Sequence, residues 1–535
     1  MSCLQTGRAD LSGGTEERWL GGAQPSSARA VASPSLGGCW LPLVSGSSGG
    51  GLPDAEGSDV AVGASGAVVD GDLAERVNRA LDDIAGSLAQ AAPASCEPWA
   101  RPPADLADGP AGIALFFHYL DQARPEMGHD DRALAYLDAA IEAVAEATSA
   151  PALYAGFSGV AWTVEHLTGR LLEPPAPGET DTGAAVARAL AGHLRRLPRY
   201  EGGFDLFNGL AGLGVWALER APRSGAKEAM DSVVRHLGEH AERGAEGITW
   251  RTPPEHLVAA ERTTWPQGCY KLGVAHGVAG VIGLLGAARF AGLEMDAAQE
   301  LLAGAVEWLL GQMLPPGAGS CFGDAVASGI APAPARLAWC RGDAGIALAL
   351  LAAARASGER NWERQALGIA RAAAARPRDQ ARVRDGGLCH GAAGLAHLYN
   401  RLFHATGDPL FKAEALAWIE RLLAQRQPGR GLAGWLSWRA VREVSEREVA
   451  FDWVPVPGLL TGVAGIGLTL LGAVSPVEPA WDRALLCSVP PLAELAGSGE
   501  WQQHSEPAQR RAPTPAHGPC NDIHFRGQPE KGDAK

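Results

Sequence analysis

Seven times the chain carries Gly-x-x-Gly followed by an apolar run: GPAGIALFF at 109, GFSGVAWTV at 156, GLAGLGVWAL at 209, GVAGVIGLL at 277, GDAGIALAL at 342, GAAGLAHLY at 391 and GVAGIGLTL at 462. The spacing, about fifty to about seventy residues, is that of a helical hairpin with its loops. Ahead of most motifs lies an amphipathic segment with charge on one face, such as LAERVNRALDDIAGSLAQA, AKEAMDSVVRHLGEHAE or FKAEALAWIERLLAQ. A helix that is apolar nearly all round must be covered on every side. Seven such helices satisfy one another as an inner ring wrapped by the seven amphipathic ones, which predicts an all-α fold: an α/α toroid of seven inner and seven outer helices. An open solenoid of the same hairpins fits less well, because solenoids need polar capping units and here the first and last repeats are as apolar as the middle ones. The first glycine of each motif is expected to supply a sharp turn into the helix, and the second to let neighbouring backbones approach closely.

The repeats occupy residues 73–487. Residues 1–72, rich in Gly, Ser and Ala, and residues 488–535, polar and Pro-bearing, lack apolar periodicity and are expected to be a disordered leader and tail. No apolar run approaches the roughly 18 to 20 residues of a membrane span. The N-terminal MSCLQTGRADLSGG has no basic stretch followed by an apolar core, so a cytoplasmic protein without a secretion signal is expected. Nine cysteines without framework spacing point to reduced thiols. A formal charge of −14 with no Lys/Arg stripe weighs against nucleic acid as a partner. The glycine motifs lie at helix starts without a preceding strand and lack the Lys-Ser/Thr sequel, so no nucleotide is implied. Residues 241–272 and Trp435–Pro457 break the helical rhythm and have room for inserted structure, able to contact a peptide leader.

In a ring of equivalent hairpins, offset from the first motif glycine becomes a coordinate. Two positions before it stand Cys340 and Cys389, in consecutive repeats; one position before it stand His276 and His390. Three of these four can converge on one ion. Cys340, Cys389 and His390 offer two thiolates and an imidazole, donors that suit tetrahedral Zn²⁺ and leave a fourth position open, the mark of a catalytic site. A structural zinc would usually have four protein ligands, often in Cys-x-x-Cys pairs, and the chain has none. Cys3, Cys39, Cys96, Cys487 and Cys520 lie outside the motifs and read as ordinary thiols; Cys269 and Cys321 stay open.

Together, WCRGDAG, CHGAAG, the upstream AHGVAG and the earlier FDLFNGLAG resemble the lanthionine synthetase C-like family, zinc-dependent cyclases that close thioether rings in lanthipeptides. The resemblance spans roughly residues 73 to 487 and implies the same toroid, with Zn²⁺ held by Cys340, Cys389 and His390. It also implies catalytic neighbours: His276, Asp205 four residues before Gly209, and Arg336 four before Cys340. The implied reaction is Michael-type addition of peptide Cys thiols to dehydroalanine or dehydrobutyrine, with His276 as the acid for the α-carbon. Asp205 would orient that ring or cap a helix, and Arg336 would support catalysis or cap a carboxylate on a neighbouring loop. Related activities are addition of glutathione or another thiol to dehydroamino acids, and peptide binding without catalysis. Many members carry Tyr or His after the first zinc cysteine; here Arg341 stands there, a guanidinium able to steady a developing enolate. Implied partners are a dehydrated precursor of leader plus core peptide, a separate dehydratase, and an exporter complex. Kinase signatures are absent, and there is no room upstream for a dehydratase domain. A prenyltransferase-like barrel would want an Asp ligand and a basic diphosphate pocket. A glycosidase would need paired rim carboxylates, for which Asp205 and Asp343 are the candidates, and would leave the metal donors idle.

Overall fold

Each of the seven glycine motifs starts an α-helix, and each amphipathic segment forms another. The computed structural model describes residues 71–90 and 105–491, apart from 147–148, 177, 180, 294–295 and 446–447. The expected leader and tail, with Cys3, Cys39, Cys96 and Cys520, therefore lie almost wholly outside the described residues. In chain order the helices are α1 (Gly71–Gln90), α2 (Pro110–Ala123), α3 (Asp130–Glu146), α4 (Phe157–Leu167), α5 (Thr182–Arg196), α6 (Leu210–Arg220), α7 (Ala226–His240), α8 (Ala259–Thr264), α9 (Val278–Phe290), α10 (Asp296–Gly311), α11 (Asp343–Ser357), α12 (Arg360–Ala375), α13 (Ala392–Thr406), α14 (Pro409–Ala424) and α15 (Val463–Val474). The motif glycines are the N-caps of α2, α4, α6, α9, α11, α13 and α15. These inner helices are buried along most of their length; in α13 every residue from Ala392 to Leu402 is buried. The outer helices bury one stripe. In α12 that stripe is Ala366, Ile369, Ala370, Ala373 and Ala374, spaced as one helical face requires.

The ring closes on itself. Helix α15 packs on α2, and α1, from the start of the described chain, supports α15 from outside and touches α14. Over the N-terminal ends of the inner helices, the lead-in loops are laced by a circle of backbone hydrogen bonds between equivalent residues, each two before a motif glycine. The amide of Ala107 donates to Tyr154, Tyr154 to Phe207, Phe207 to Ala275, Ala275 to Cys340, Cys340 to Cys389, Cys389 to Leu460, and Leu460 back to Ala107, at 2.7 to 3.3 Å. An open solenoid has no bond from last repeat to first, so this circle decides between the two architectures. It also pairs backbone groups that burial would otherwise strand.

The second glycines allow the close backbone approach expected of them, while the first glycines do more than turn the chain. Of the seven first glycines only Gly342 has a positive φ, 98°; the other six cap their helices in extended or near-extended backbone. The constraint is space. A Cβ on Gly156, Gly209, Gly277 or Gly342 would stand 1.9 to 2.3 Å from the carbonyl oxygen six residues earlier. A Cβ on the second glycines Gly159, Gly212, Gly280, Gly345, Gly394 and Gly465 would meet the carbonyl six residues before it at 1.9 to 2.5 Å. Each lead-in loop folds back over its own helix start, and the glycine pair is the slot that receives it.

The axis is filled from below. After α15 a buried 3-10 turn, Ala480–Leu485, accepts from the Tyr154 hydroxyl at Ala484 (2.7 Å) and from the Trp339 indole at Leu485 (2.9 Å). Arg401 and His397 of α13 donate to Asp482, the turn packs on α6, and Leu486 lies by Gly283 of α9. Contact with five of the seven repeats is possible only on the axis. Three antiparallel pairs complete the described structure: β1 (Glu242–Gly244) with β2 (Gly247–Thr249), β3 (Tyr270–Lys271) with β4 (Ala325–Val326), and β5 (Ser437–Ser445) with β6 (Glu448–Val454). All but β4 fall in the two stretches where the helical rhythm breaks. The last hairpin is tied to the rim: the Trp438 amide donates to Asp385 at 3.0 Å and Arg439 to Asp108 at 2.9 Å.

Candidate metal centre

Cys340 and Cys389 are neighbours in the backbone circle, the amide of Cys340 donating to the carbonyl of Cys389 at 3.3 Å. That adjacency brings their side chains, with His390 from the next position, onto one stretch of the rim. The two sulfurs and an imidazole nitrogen all lie within 4.8 Å of one another, the thiols buried and the imidazole half-buried. Among the described residues this is the one His/Cys/Asp/Glu group so gathered. Two enclosed thiols and an imidazole are the donors zinc prefers, at a spread that an ion with bonds of about 2.0 to 2.3 Å draws together. The residues present therefore fit the metal.

Cys340 is held from four directions. Trp339 before it is anchored to the axial turn, Arg341 after it is anchored to Glu261, its carbonyl accepts from Ala275 at 3.2 Å, and its amide bonds Cys389. The backbone that carries the thiol is thus set by packing before any ion arrives, as a binding site requires.

His276 stands one repeat earlier on the same rim, following the Ala275 that bonds Cys340. Its Nδ1–H donates to Asp205 Oδ2 at 2.9 Å, and the Phe207 ring packs 5.1 Å from it. The other oxygen, Asp205 Oδ1, accepts from the Asn208 amide at 2.7 Å. Of the two roles expected of Asp205, one oxygen orients the imidazole; the other takes a loop amide ahead of α6, whose N-cap Gly209 has no side-chain hydrogen bond, so the helix cap does not form. Burial works to raise its carboxyl, but His276, the Asn208 amide and Lys271 outweigh burial and hold it below the ordinary carboxylate range. Arg336 lies half-buried in the loop leading to α11, and its carbonyl oxygen roofs Gly342.

Two expectations change. Arg341 is not aimed at the rim alone: its guanidinium donates to Glu261 of α8 at 2.6 Å, and the same carboxylate accepts from Lys271 at 2.7 Å. Burial pushes the Glu261 carboxyl up, but Arg341 and then Lys271 bring it down to about 2. Asp343 is no rim carboxylate. It is buried, takes the amides of Cys321 and Phe322 and the Ser320 hydroxyl, and pairs with Arg376 at 2.7 Å, so the two-carboxylate arrangement of a glycosidase does not form with Asp205. Cys269 and Cys321 resolve as ordinary thiols: burial pushes both up to about 11, and neither joins the donor group. Cys487 is buried beneath the rim and is pushed well above its usual value by burial. Glu261 carries no sequence signal, because no repeat offset or motif links a residue of an insert to the rim; Lys271 stands six before Gly277, an offset with no shared chemistry among the repeats.

A closed α/α toroid bearing a three-donor metal cradle on its rim, beside an oriented His–Asp pair, defines the class of protein. The lanthionine synthetase C-like protein family matches residues 102–486, and the chain belongs to that family. Nisin cyclase superposes with a TM-score of 0.59 at 18% identity, over 77% of this chain and 98% of the other, which shows the shared fold. A sugar epimerase from a ruminal bacterium aligns over 78% of this chain and 97% of its own at 11% identity and a TM-score of 0.38, and nothing is drawn from it.

Proposed function

We propose that residues 73–487 form a zinc-dependent lanthipeptide cyclase that adds peptide Cys thiols to dehydroalanine or dehydrobutyrine. The observation that carries this reading is the convergence of Cys340, Cys389 and His390 within 4.8 Å on the rim. Zinc held by those three donors would supply a Lewis acid that ionises an incoming thiol, whose own pKa near 8.5 leaves it mostly protonated at neutral pH. The chain's own residues then serve the addition. As the sulfur bonds the β-carbon, the double-bond electrons move onto the dehydro residue's carbonyl as an enolate. The proton the thiol loses on ionising passes through water to His276, and the protonated imidazole gives its Nε2 proton to the α-carbon, while Asp205 holds Nδ1–H and stabilises the imidazolium. The N-terminal ends of the inner helices meet at this rim and add partial positive charge that favours thiolate and enolate alike. The product has the mass of the substrate and one thiol fewer. A separate dehydratase would supply the dehydroamino acids, with an exporter complex downstream. On this reading the reaction runs in the cytoplasm; no helix of the described residues is long and apolar enough to cross a membrane.

The test is zinc per chain in the wild type and in Cys340→Ala and Cys389→Ala, followed by incubation with a dehydrated, Cys-bearing peptide. About one zinc in the wild type, little in both variants, and thiol loss at constant mass are expected. Zinc indifferent to both substitutions, or a metal-loaded protein that leaves the thiols untouched, would overturn the assignment.

A further inference from the structure

Between α7 and α9 the chain detours through β1, β2 and α8, and packs Leu257, Cys269 and Ala325 into a small core separate from the main one. The detour delivers one carboxylate to the metal rim. Glu261 is 3% exposed; its Oε1 accepts from Arg341 and its Oε2 from Lys271. Arg341 directly follows the donor Cys340. Lys271 helps to hold Asp205 ionised, and Asp205 holds His276. Ion pairs therefore run from Arg341 through Glu261 to Lys271, whose charge acts on the Asp205 that holds His276, joining the donors' repeat to the proton-transfer repeat through a residue that belongs to neither.

Two buried cations stay beside each other only while a carboxylate with good geometry bridges them. Glu261 is that bridge, and it sets where the Arg341 guanidinium lies. We infer that Glu261 is a positioning residue for the thiol-binding step, fixing Arg341 beside Cys340 so that a permanent positive charge borders the place where a peptide thiolate joins the two cysteine donors. The inference rests on the metal centre proposed above. A third sulfur anion makes that stretch of rim net negative, and a guanidinium offsets it without gaining or losing a proton. A flexible ammonium, or a guanidinium released from Glu261, lacks that fixed placement.

The experiment loads the full chain with cobalt(II), whose charge-transfer absorption reports sulfur ligation, and titrates it with N-acetylcysteine amide. No dehydrated peptide is needed, so the outcome does not depend on cyclisation. Compared on protein already carrying one cobalt per chain, Glu261→Gln and Arg341→Met should bind the thiol roughly tenfold more weakly than the wild type, the size of a lost charge-assisted contact. The double variant should be no weaker than Arg341→Met alone, because Glu261 acts through Arg341, and Glu261→Asp should recover part of the loss. Unchanged or tighter thiol binding in Glu261→Gln would show a mere counter-charge and overturn the inference, as would losses that add in the double variant. A wild type that takes up no cysteine-dependent cobalt would sink the metal centre itself and this inference with it. Should Glu261→Gln fail to fold, Arg341→Met and Glu261→Asp carry the comparison: two variants both binding the thiol normally would overturn it equally.

Discussion

Asp105 and Asp205 occupy the same offset, four residues before a motif glycine, and both take backbone amides of their own loop: Asp105 from Asp108 and Gly109, Asp205 from Asn208. They differ in what the following repeat presents. Asp205 meets His276; at that offset in the repeat after Asp105 stands Ala155. Without a cation, burial and then the neighbouring Asp108 push the Asp105 carboxyl up to about 7, whereas Asp205 stays low. The pair separates a carboxyl that only takes loop amides from one that also holds an imidazole. Because folded Asp105 holds its proton up to about pH 7 and an unfolded one releases it near 4, stability from this group falls as pH rises through that window. Asp105→Asn keeps the acceptor and drops the charge. It should raise stability by about 1 kcal/mol at pH 8 and have little effect at pH 5, measured by urea denaturation at both. An equal effect at the two pH values would mean the carboxylate is solvated. The donors Cys340, Cys389 and His390 were legible in the sequence because offset is position in a closed ring. Glu261 was not, since its partners Arg341 and Lys271 are reached only through tertiary packing of an insert that obeys no repeat.

All fourteen helices of the two layers were readable as elements, because a helix apolar all round and one with a single apolar stripe differ in period and composition. The role of the glycines was readable only in part: close backbone approach was expected at the second glycine, but which backbone approaches depends on the path of the loop before the helix. That path now separates two kinds of glycine in one protein. Gly159 sits where a Cβ would lie 1.9 Å from the Leu153 carbonyl oxygen, a backbone atom that cannot step aside. Gly368, in outer helix α12, has nothing within 4 Å of such a Cβ. Gly159→Ala should cost about 3 kcal/mol or more by forcing the lead-in loop off its helix. Gly368→Ala should instead stabilise by about 0.5 to 1 kcal/mol, through helix propensity and a stiffer unfolded chain. Thermal melts of the two variants beside the wild type decide. Equal and small shifts would show that the loop gives way and the slot is not a constraint.

Closure is a property of the whole molecule, and it has two parts: the circle of seven backbone bonds above and the axial turn below. The turn was not foreseen, because EPAWDRALLC carries neither the glycine motif nor helical periodicity. Its importance lies in Asp482, fully buried and shared by Arg401 and His397, and in the indole and hydroxyl that Trp339 and Tyr154 send down from the rim. Asp482 is held down to about 2, burial being outweighed by Arg401 and then His397, so its contribution is present at neutral pH and is lost only as pH falls from about 5 toward 2. Above that window the turn ties five repeats together. A linear array of hairpins frays from its ends, each repeat leaning only on its neighbours. A ring has no ends. The amides of Ala107 and Leu460, in the first and last repeats, are bonded through the same circle as those of Ala275 and Cys340 in the middle. Hydrogen exchange at pH 7 should therefore protect all seven circle amides to a similar degree, within about 1 kcal/mol of opening free energy. At pH 3, where Asp482 begins to protonate, they should lose protection together. Amides of Ala107 and Leu460 that exchange far faster than those of Ala275 and Cys340 would mean that the seam between first and last repeats opens by itself. In that case the chain would behave in solution as the fraying solenoid that its repeat pattern alone does not exclude.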